Sequence, residues 1–372
     1  MKAGIIGLPN VGKSTLFNCL SNSKAQSANF PFCTIEPNIG KVNVPDKRLI
    51  TLTDLINPKQ TIPASIEIVD IAGLVKGASK GEGLGNQFLA NIRETDALVH
   101  VLRCFEDSNI THVEGTIDPL RDKEIIDLEL QIKDLETVDK QIEKISKKLR
   151  AGYKDDAKYL SILQKIKNEL EKSENIRNLG LDKDEMILIK DLNLLTLKPV
   201  LYVCNVSEKD LSNGNVFTDN VNKMITNENS EMLILAVSLE AEIFEIEEFS
   251  DRQSFLDDYQ IKQPASLKLI NQTYKLLNMQ TFFTVGEKEV KAWTIQIGWN
   301  AQKAAGVIHS DFEKGFIRSE VISYQDYLNY KSEAKIKEAG KLRVEGKDYM
   351  VKDGDIMHFR FNKSKTNNSC KY

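Results

Sequence analysis

Short runs of apolar residues recur along the chain and alternate with stretches whose apolar residues are spaced as in helices. The first run, Ala3 to Ile6, is followed directly by a glycine and predicts a buried strand. Comparable runs follow at Ile66–Val69, Ala97–Leu102, Pro199–Cys204 and Met232–Val237. Strands that alternate with helices in this way predict an α/β fold with a mostly parallel sheet that is covered on both faces.

A different pattern covers residues 121–197, where apolar residues recur every three or four positions. They are Ile125, Leu128, Ile132, Leu135, Val138, Ile142, Ile145 and Leu149 and, after Gly152, Leu160, Leu163, Ile166 and Leu170. This spacing predicts two long amphipathic helices that fold back on each other as an antiparallel coiled-coil hairpin. Because strand-like runs resume at Pro199, we expect the hairpin to be an insertion within the domain that precedes it.

The last part of the chain changes character again after a helical stretch at Pro264–Met279. Its predicted elements are strands at Thr281–Val285, Lys291–Ile297 and Ile356–Phe361 and a helix at Trp299–Ala305. These elements predict an α+β module over residues 280–362. The final residues, 363–372, are polar and rich in Asn, Lys and Ser, so we expect a disordered tail.

The composition changes this picture in two ways. A length of 372 residues predicts two or three domains, with an apolar fraction of 41% for their cores and a charged fraction of 28% that is usual in soluble proteins. The formal net charge of −4 argues against a surface that is basic throughout, but it leaves room for local patches. One such patch lies on the predicted hairpin, where residues 140–167 hold nine basic and three acidic residues.

Cysteine usage and hydropathy indicate a cytoplasmic location. The five cysteines are scattered and show no CxxC pair, so they predict reduced thiols rather than a disulfide framework or a zinc site. No apolar run approaches the roughly 20 residues that a membrane-spanning helix needs. The strand at Ala3 follows Met1 so closely that we expect no signal peptide.

The first strand leads into a motif for phosphate binding. Residues Gly7 to Ser14 read GLPNVGKS and match the pattern GxxxxGK[ST], whose backbone N–H groups surround phosphates. Lys13 is expected to neutralise the β- and γ-phosphates, and Ser14 to ligate Mg²⁺. The predicted nucleotide-binding residues here are Asn10, Val11, Gly12, Lys13, Ser14 and Thr15. A chance glycine-rich turn is the alternative, and the preceding strand argues against it.

Two partner motifs follow in the order that a P-loop protein requires. Asp70 to Gly73 fits DxxG, so Asp70 is expected to hold Mg²⁺ through a water and the Gly73 amide to sense the γ-phosphate. Thr34 lies where a switch threonine would cover both Mg²⁺ and the γ-phosphate, although it could be an ordinary loop residue. The glycine-rich stretch Lys76–Gly85 predicts a switch segment, with a plain flexible linker as the alternative.

The base-reading motif departs from that of guanine-specific proteins. An NKxD motif reads guanine, but here the strand ends in Asn205, Val206, Ser207 and Glu208, so the lysine is replaced and the carboxylate is longer. We expect this change to remove the discrimination against ATP. Ser238 and Leu239 are predicted to form the last base-contacting loop. Alternatively, Asn205 could be a loop asparagine with ordinary backbone partners.

Hydrolysis needs a group that orients the attacking water. Leu74 stands where many GTPases carry a glutamine, so the usual device is missing and unaided turnover is expected to be slow. His112, in a polar loop, is the candidate that joins Lys13 and Thr34 in the predicted catalytic set, unless it is simply an exposed histidine. Asn10 in the P-loop adds the hypothesis of a K⁺ ion beside the phosphates.

These motifs resemble those of the YchF/Obg-like ATPases, which are relatives of the Obg GTPases. The resemblance spans nearly the whole chain and is most specific at Asn29–Asn38, Asp70–Asn86, Asn205–Glu208 and His309–Phe316, the last of which is similar to a TGS domain. It implies a G domain over 1–120 and 198–279, an inserted hairpin over 121–197, and a ubiquitin-like β-grasp TGS domain over 280–362.

The resemblance also implies an ATPase with weaker or no GTPase activity that associates with the ribosome, as the large subunit or the 70S particle, and regulates translation or a stress response. It supports His112 as a catalytic residue. The basic residues expected to contact rRNA are Lys144, Lys147, Lys148, Arg150 and Lys154. No membrane and no specific DNA sequence is expected as a partner.

Two other functions stay open at this level. The chain could be a GTPase of the Obg type if Glu208 still reaches guanine, or a ribosome- or RNA-binding adaptor whose nucleotide is structural. A γ-phosphate sensor argues against the adaptor. Cys33 lies beside the expected switch threonine, but scattered cytoplasmic thiols are usually inert, so no redox role is predicted.

Overall fold

Two units make up the part of the chain that the computed structural model describes, namely residues 1–21, 38–71, 73, 84–151, 156–228 and 230–362. Among these residues the first unit comprises 1–21, 38–41 and the described positions from 67 to 276. The second comprises 42–66 and 277–362.

The first unit is built on a six-stranded sheet with the order β2-β4-β1-β5-β6-β7. The strands are β1 (Lys2–Ile6), β2 (Ile39–Asn43), β4 (Ser65–Asp70), β5 (Ala97–Arg103), β6 (Val200–Asn205) and β7 (Glu231–Leu235). The pairs β1/β4, β1/β5, β5/β6 and β6/β7 are all parallel. Every residue of β5 and β6 is buried, as apolar strands are when helices cover both faces. The predicted α/β fold is confirmed.

Helices connect and cover these strands. They are α1 (Lys13–Ser21), α3 (Leu84–Arg93), α4 (Pro119–Arg150), α5 (Ala157–Leu170), α6 (Lys183–Ile189), α7 (Val216–Ile225), α8 (Val237–Glu245), α9 (Phe249–Asp258) and α10 (Ala265–Leu276). The expectation of a strand to Val237 and a loop at Ser238 is wrong, because α8 already begins at Val237. Glu240 in its first turn is buried and accepts hydrogen bonds from the N–H groups of Ala265 and Ser266 at the start of α10.

The insertion between β5 and β6 contains two consecutive helices that pack on each other, α4 and α5. Their shared core consists of Val138, Ile145, Ile162, Leu163, Ile166, Leu170, Ile176, Ile189 and Leu194. The second helix has 14 residues against 32 in α4, and it contains the predicted apolar run from Leu160 to Leu170. It ends where Ser173 takes a positive φ of 61° and its N–H donates to the Leu170 carbonyl at 3.0 Å. The Ser173 carbonyl accepts a hydrogen bond from Gln131 Nε2 of α4 at 3.0 Å. The coiled-coil assignment stays a prediction.

Buried polar groups fix the lower part of α4 to the segments of the insertion that precede β6. Asp134 of α4 is fully buried and accepts hydrogen bonds from the backbone N–H groups of Leu195 and Thr196, at 2.8 and 2.7 Å. One turn or more earlier in α4, Asp127 pairs with Lys123 at 2.6 Å and with Arg177 at 3.2 Å. Because breaking a buried ion pair is costly, the lower part of α4 is held firmly against Arg177, Leu195 and Thr196.

The second unit has its own six-stranded sheet, with the order β11-β10-β12-β8-β9-β3. Its strands are β3 (Gln60–Ile62), β8 (Met279–Val285), β9 (Glu289–Gln296), β10 (Phe316–Ile322), β11 (Arg343–Glu345) and β12 (Ile356–Phe361). Its helices are α2 (Lys47–Ile56), α11 (Ala301–Ile308), α12 (Ser310–Lys314), α13 (Tyr324–Tyr330) and α14 (Glu333–Glu338). The sheet is mixed, since β12/β8 and β3/β9 are parallel and the other described pairs are antiparallel.

Residues 42–66 belong to this second unit, although the sequence pattern assigned them to the nucleotide-binding domain. Strand β3 adds to the edge of the sheet beside β9. The Arg48 guanidinium of α2 pairs with Asp46 at 2.8 Å and Asp353 at 2.7 Å and lies 5.4 Å from the ring centroid of Phe283. Nothing within 42–66 identifies these distant partners, so the sequence could not reveal the grouping. The other domain limits remain predictions.

Two further predictions concern the C-terminal tail and membrane-spanning helices. Residues 363–372, the predicted disordered tail, lie outside the described residues. Within the described ranges, no helix is both long and apolar enough to cross a membrane.

The Arg48 contacts generate a prediction about stability. We expect Arg48→Ala to lower the free energy of unfolding of the second unit by about 2 kcal/mol, because two charge-assisted interactions and a ring contact are lost. The two tryptophans of the chain, Trp293 and Trp299, both lie in this unit. Urea unfolding followed by tryptophan fluorescence therefore measures the relevant transition.

The matched control is Arg318→Ala in the same unit. Arg318 is largely exposed and pairs with Glu320 at 4.0 Å, so its removal should change stability by less than about 0.5 kcal/mol. Equal losses in the two variants would show that the Arg48 contacts do not anchor residues 42–66.

Candidate nucleotide site

The loop between β1 and α1 has the backbone conformation that phosphate binding requires. Asn10 and Gly12 have positive φ values of 62° and 100°, which turn successive N–H groups toward one side. A Cβ at position 12 would lie 2.7 Å from Nδ2 of Asn205, so glycine is needed there on steric grounds as well. The Leu16 N–H then bonds the Gly12 carbonyl at 3.0 Å, and the helix begins.

Lys13 is buried in the first turn of α1, and its Nζ donates to the Leu8 carbonyl at 2.6 Å. Burial lowers the pKa of Lys13 to about 8, against the opposing effect of the nearby Asp70 carboxylate. A Cβ at Gly73 would lie 3.1 Å from this Nζ. Gly73 therefore leaves the space in which a phosphate group and the lysine could meet.

Ser14 and Asp70 come together at the carboxyl end of the sheet, as the sequence predicts for a Mg²⁺ site. Ser14 Oγ donates to Asp70 Oδ2 at 2.8 Å. The other carboxylate oxygen, Oδ1, is buried and has no hydrogen-bond partner among the described residues. A hydroxyl beside a carboxylate with spare acceptor capacity fits the oxygen ligands that Mg²⁺ prefers. Bound there, Mg²⁺ would neutralise phosphate charge; the third predicted ligand, Thr34, lies outside the described residues.

Asn205 at the end of β6 connects two other parts of the site. Its Nδ2 donates to the Val11 carbonyl at 2.9 Å, and its Oδ1 accepts from the Val237 N–H at 3.0 Å. The side chain is buried, and both ends of the amide are engaged by backbone groups. Asn205 therefore fixes the P-loop to the start of α8 in this arrangement, which matches the alternative that the sequence left open.

A cavity of about 610 Å³ lies beside the P-loop. Its lining includes the predicted residues Asn10, Gly12, Thr15, Asn205, Val206, Glu208 and Ser238, together with Phe105, Glu106, Asp107, Ile110, Ser207, Lys209 and Val237. Val206 is buried, whereas Glu208 is exposed. The Leu239 side chain does not line the cavity, since it packs in a core cluster with Ala236 and Ile243.

The sequence pattern did not reveal that the segment after β5 forms one wall of this cavity. Arg103 is almost fully buried, and its guanidinium donates to the carbonyls of Phe105, Asp107 and Ile110 at 3.2, 3.1 and 2.9 Å. The guanidinium carbon lies 4.6 Å from the Phe105 ring centroid. The signal available in the sequence was an arginine at the end of a strand whose other residues, apart from His100, are apolar. The Arg103 guanidinium donates to several backbone carbonyls at once and so fixes the conformation of the wall.

His112 follows this wall, but it is not the exposed histidine that the sequence allowed. Its side chain is buried, with Nε2 2.8 Å from Oδ2 of the buried Asp122. The neighbouring Thr111 carbonyl accepts from Asn10 Nδ2 at 3.2 Å, so this loop contacts the P-loop. The histidine is near the site, while its imidazole is engaged elsewhere.

Several predicted residues cannot be located because they fall outside the described ranges. They are Thr34, Cys33, Leu74, Lys154 and most of the glycine-rich stretch after Gly73. The motif at Asn29–Asn38 lies there as well, except for Asn38 itself.

A strand–P-loop–helix unit, a serine–aspartate pair beside it and a cavity lined in part by Asn205 define a P-loop nucleotide triphosphatase with the GTPase type of α/β fold. Family models agree with this class. Residues 2–150 match MMR_HSR1, described as "50S ribosome-binding GTPase", and residues 279–362 match YchF-GTPase_C, described as "Protein of unknown function (DUF933)".

The chain belongs to the YchF family. Proteins named "Ribosome-binding ATPase YchF" are 53% identical over 361 residues in Haemophilus ducreyi and 51% identical over 361 residues in Escherichia coli O157:H7, covering 97% of this chain and 99% of each relative. The Bacillus subtilis protein of that name is 50% identical over 364 residues, with the same coverage. A solved structure of the Schizosaccharomyces pombe YchF GTPase has a TM-score of 0.87 at 39% identity and 97% coverage of both chains.

The cavity wall gives a testable prediction. Arg103→Lys keeps the charge but loses the fork that holds three carbonyls, so we expect the affinity for ADP to fall about tenfold. Isothermal calorimetry measures this affinity directly. Arg93→Lys is the control, because Arg93 is exposed and its described side-chain contact, to Thr137, is a long one at 3.5 Å. Unchanged ADP affinity in Arg103→Lys would mean that this wall does not shape the nucleotide site.

Proposed function

We propose that this protein binds ATP with Mg²⁺, hydrolyses it to ADP and phosphate, and acts as a nucleotide-dependent switch on the ribosome in the cytoplasm. The observation that carries the preference for ATP is the pair of side chains at the base-reading position. Val206 is buried there, and Glu208 is exposed at the rim of the cavity.

Guanine would lose its specific polar contacts in this site. A site that recognises guanine places a short carboxylate against two ring donors and a lysine stem over the base. Discrimination by such buried polar contacts is large, and it disappears when the contacts are absent. The names of the relatives differ on the nucleotide, since three are called ATPases and the S. pombe protein a GTPase. The side chains at 206 and 208 favour ATP.

The metal and the triphosphate account for the remaining polar groups of the site. Ser14 and Asp70 are the proposed Mg²⁺ ligands among the described residues, with Thr34 as the third, and Lys13 stabilises the β- and γ-phosphates. Asn10 keeps its proposed role beside a K⁺ ion. Equal hydrolysis rates in K⁺ and Na⁺ buffers would exclude that role.

His112 is the proposed group that orients the attacking water. Support comes from its loop, which touches the P-loop through Thr111 and Asn10, and from the ability of a neutral imidazole nitrogen to accept a hydrogen bond from water. Its contact with Asp122 means that the side chain must rotate before it can act.

The proposed partner is the ribosome, as the names of the bacterial relatives suggest. The α4–α5 hairpin supplies exposed basic side chains for rRNA phosphates, namely Lys144, Lys147, Lys148 and Arg150. We also propose that the second unit is a TGS-type β-grasp module, which is consistent with its mixed sheet and with the match over residues 279–362.

Turnover of purified protein tests the enzymatic part. Lys13→Ala should reduce ATP hydrolysis by at least about a hundredfold, because the positive charge at the transferring phosphate is removed. Lys190→Ala removes an exposed lysine elsewhere in the first unit and should leave the rate unchanged. If Lys13→Ala hydrolysed ATP normally, the nucleotide would be a structural ligand, and the adaptor function would replace the enzyme.

The hairpin surface generates a separate prediction. Replacing Lys144, Lys148 and Arg150 by alanine should weaken binding to ribosomes and make the slope of log affinity against log salt shallower by about 2, since fewer counterions are released. Sedimentation of ribosome complexes at several salt concentrations gives this slope. A triple variant of Lys183, Lys190 and Lys223, which are also exposed, is the control for net charge. Parallel slopes for wild type and hairpin variant would exclude the hairpin as the phosphate-contacting surface.

A further inference from the structure

The protonation of His112 follows from its two described partners. The Glu114 N–H donates to Nδ1 at 3.2 Å, so Nδ1 carries a lone pair rather than a proton. Nε2 then carries the proton of a neutral imidazole and donates to Asp122 Oδ2 at 2.8 Å. Because both nitrogens are engaged, the ring cannot accept a hydrogen bond from an attacking water in this arrangement.

Asp122 is itself held from a second side. Its Oδ1 accepts from Arg121 Nη2 at 3.0 Å, and the same guanidinium donates to the carbonyl and the hydroxyl of Thr116 at 2.6 and 2.9 Å. The carboxylate lies in the first turn of α4, where the helix dipole stabilises negative charge. The acceptor for His112 is therefore fixed in position, while burial raises the pKa of the Asp122 carboxyl above its ordinary value.

The backbone of the His112 loop is anchored beside the nucleotide site at the same time. The Ile110 carbonyl accepts from Arg103, and the Thr111 carbonyl from Asn10 of the P-loop. Rotation of the His112 side chain can therefore bring the imidazole out of its pocket while the loop stays in place. What opposes the rotation is the hydrogen bond to Asp122 in a buried environment.

We infer that Asp122 is a positioning residue that restrains His112 in a resting arrangement, and that release of the imidazole from Asp122 limits ATP turnover. The inference rests on the proposed function, because it takes His112 as the group that orients water. Helix α4 carries Asp122 in its first turn and extends to the exposed basic residues near Arg150.

Asp122→Asn tests the restraint. A carboxylate accepts from Arg121 and His112 with separate oxygens, whereas an amide offers a single acceptor oxygen, so one of the two donors loses its partner. We expect kcat for ATP hydrolysis to rise about tenfold with an unchanged KM, since the restraint acts on the chemical step and not on nucleotide binding.

The imidazole also gives a spectroscopic signature that a purely structural role of Asp122 would not alter. The chain has four histidines, so the ¹⁵N signals of His112 can be assigned by comparison with His112→Ala. We expect one Nε2-protonated tautomer in the wild type and a tautomer mixture in Asp122→Asn.

Two further variants keep the test decisive. Asp127→Asn also removes a carboxylate from the buried side of α4, where it pairs with Lys123 and Arg177, so it should lower stability without raising kcat. If Asp122→Asn does not fold, Arg121→Gln is the alternative variant. Arg121 is partly exposed, and its replacement removes the second partner of the Asp122 carboxylate, so kcat should again rise.

The outcomes separate the inference from the proposed function. An unchanged or lower kcat in folded Asp122→Asn or Arg121→Gln, together with a large loss in His112→Ala, would overturn the restraint alone. Wild-type turnover in His112→Ala would remove His112 from the mechanism and the restraint with it, while the effect of Lys13→Ala would still report on the ATPase. Loss of the Asp122→Asn gain in the double variant with His112→Ala supports the inference.

Discussion

Two hydrogen bonds from one amide side chain, that of Asn205, join segments that lie far apart in the sequence. They run to the Val11 carbonyl of the P-loop and to the Val237 N–H at the start of α8. Because Val11 is held there, the left-handed turn that presents Lys13 and Ser14 is fixed in position. A buried amide that lost either partner would leave a backbone group unpaired, at a cost of about 1–3 kcal/mol. The geometry of the phosphate site therefore depends on a residue from a strand nearly two hundred positions away.

Helix α4 connects the chemistry to the surface. Its first turn holds the candidate catalytic histidine through Asp122, and the next turns are held to Arg177 and to Leu195 through Asp127 and Asp134. Its last turn ends in exposed basic residues at Lys147, Lys148 and Arg150. A helix that is rigid at its base and charged at its far end is suited to carry a signal between a partner and the nucleotide. Because the contacts of its buried carboxylates are either formed or broken, the base of α4 can move only between distinct arrangements and not gradually.

The sequence predicted the parts of the fold whose local pattern is required by the phosphate-binding motif. The strand before Gly7, the helix after Lys13 and the pairing of Ser14 with Asp70 could all be predicted, because the motif itself requires them. It did not predict the parts of the fold that are determined by contacts between residues far apart in the sequence. The placement of residues 42–66 involves contacts such as that of Arg48 with Asp353, about three hundred positions later. Arg103 and Asp122 were missed for the same reason: only the fold shows what they hold.

We propose that the cavity beside the P-loop prefers adenine because Val206 and Glu208 do not form the polar contacts that guanine requires. Calorimetric titration of the purified protein with non-hydrolysable ATP and GTP analogues in the presence of Mg²⁺ measures this preference. We expect the ATP analogue to bind at least about tenfold more tightly. Tighter binding of the GTP analogue, or no binding of either nucleotide, would contradict it.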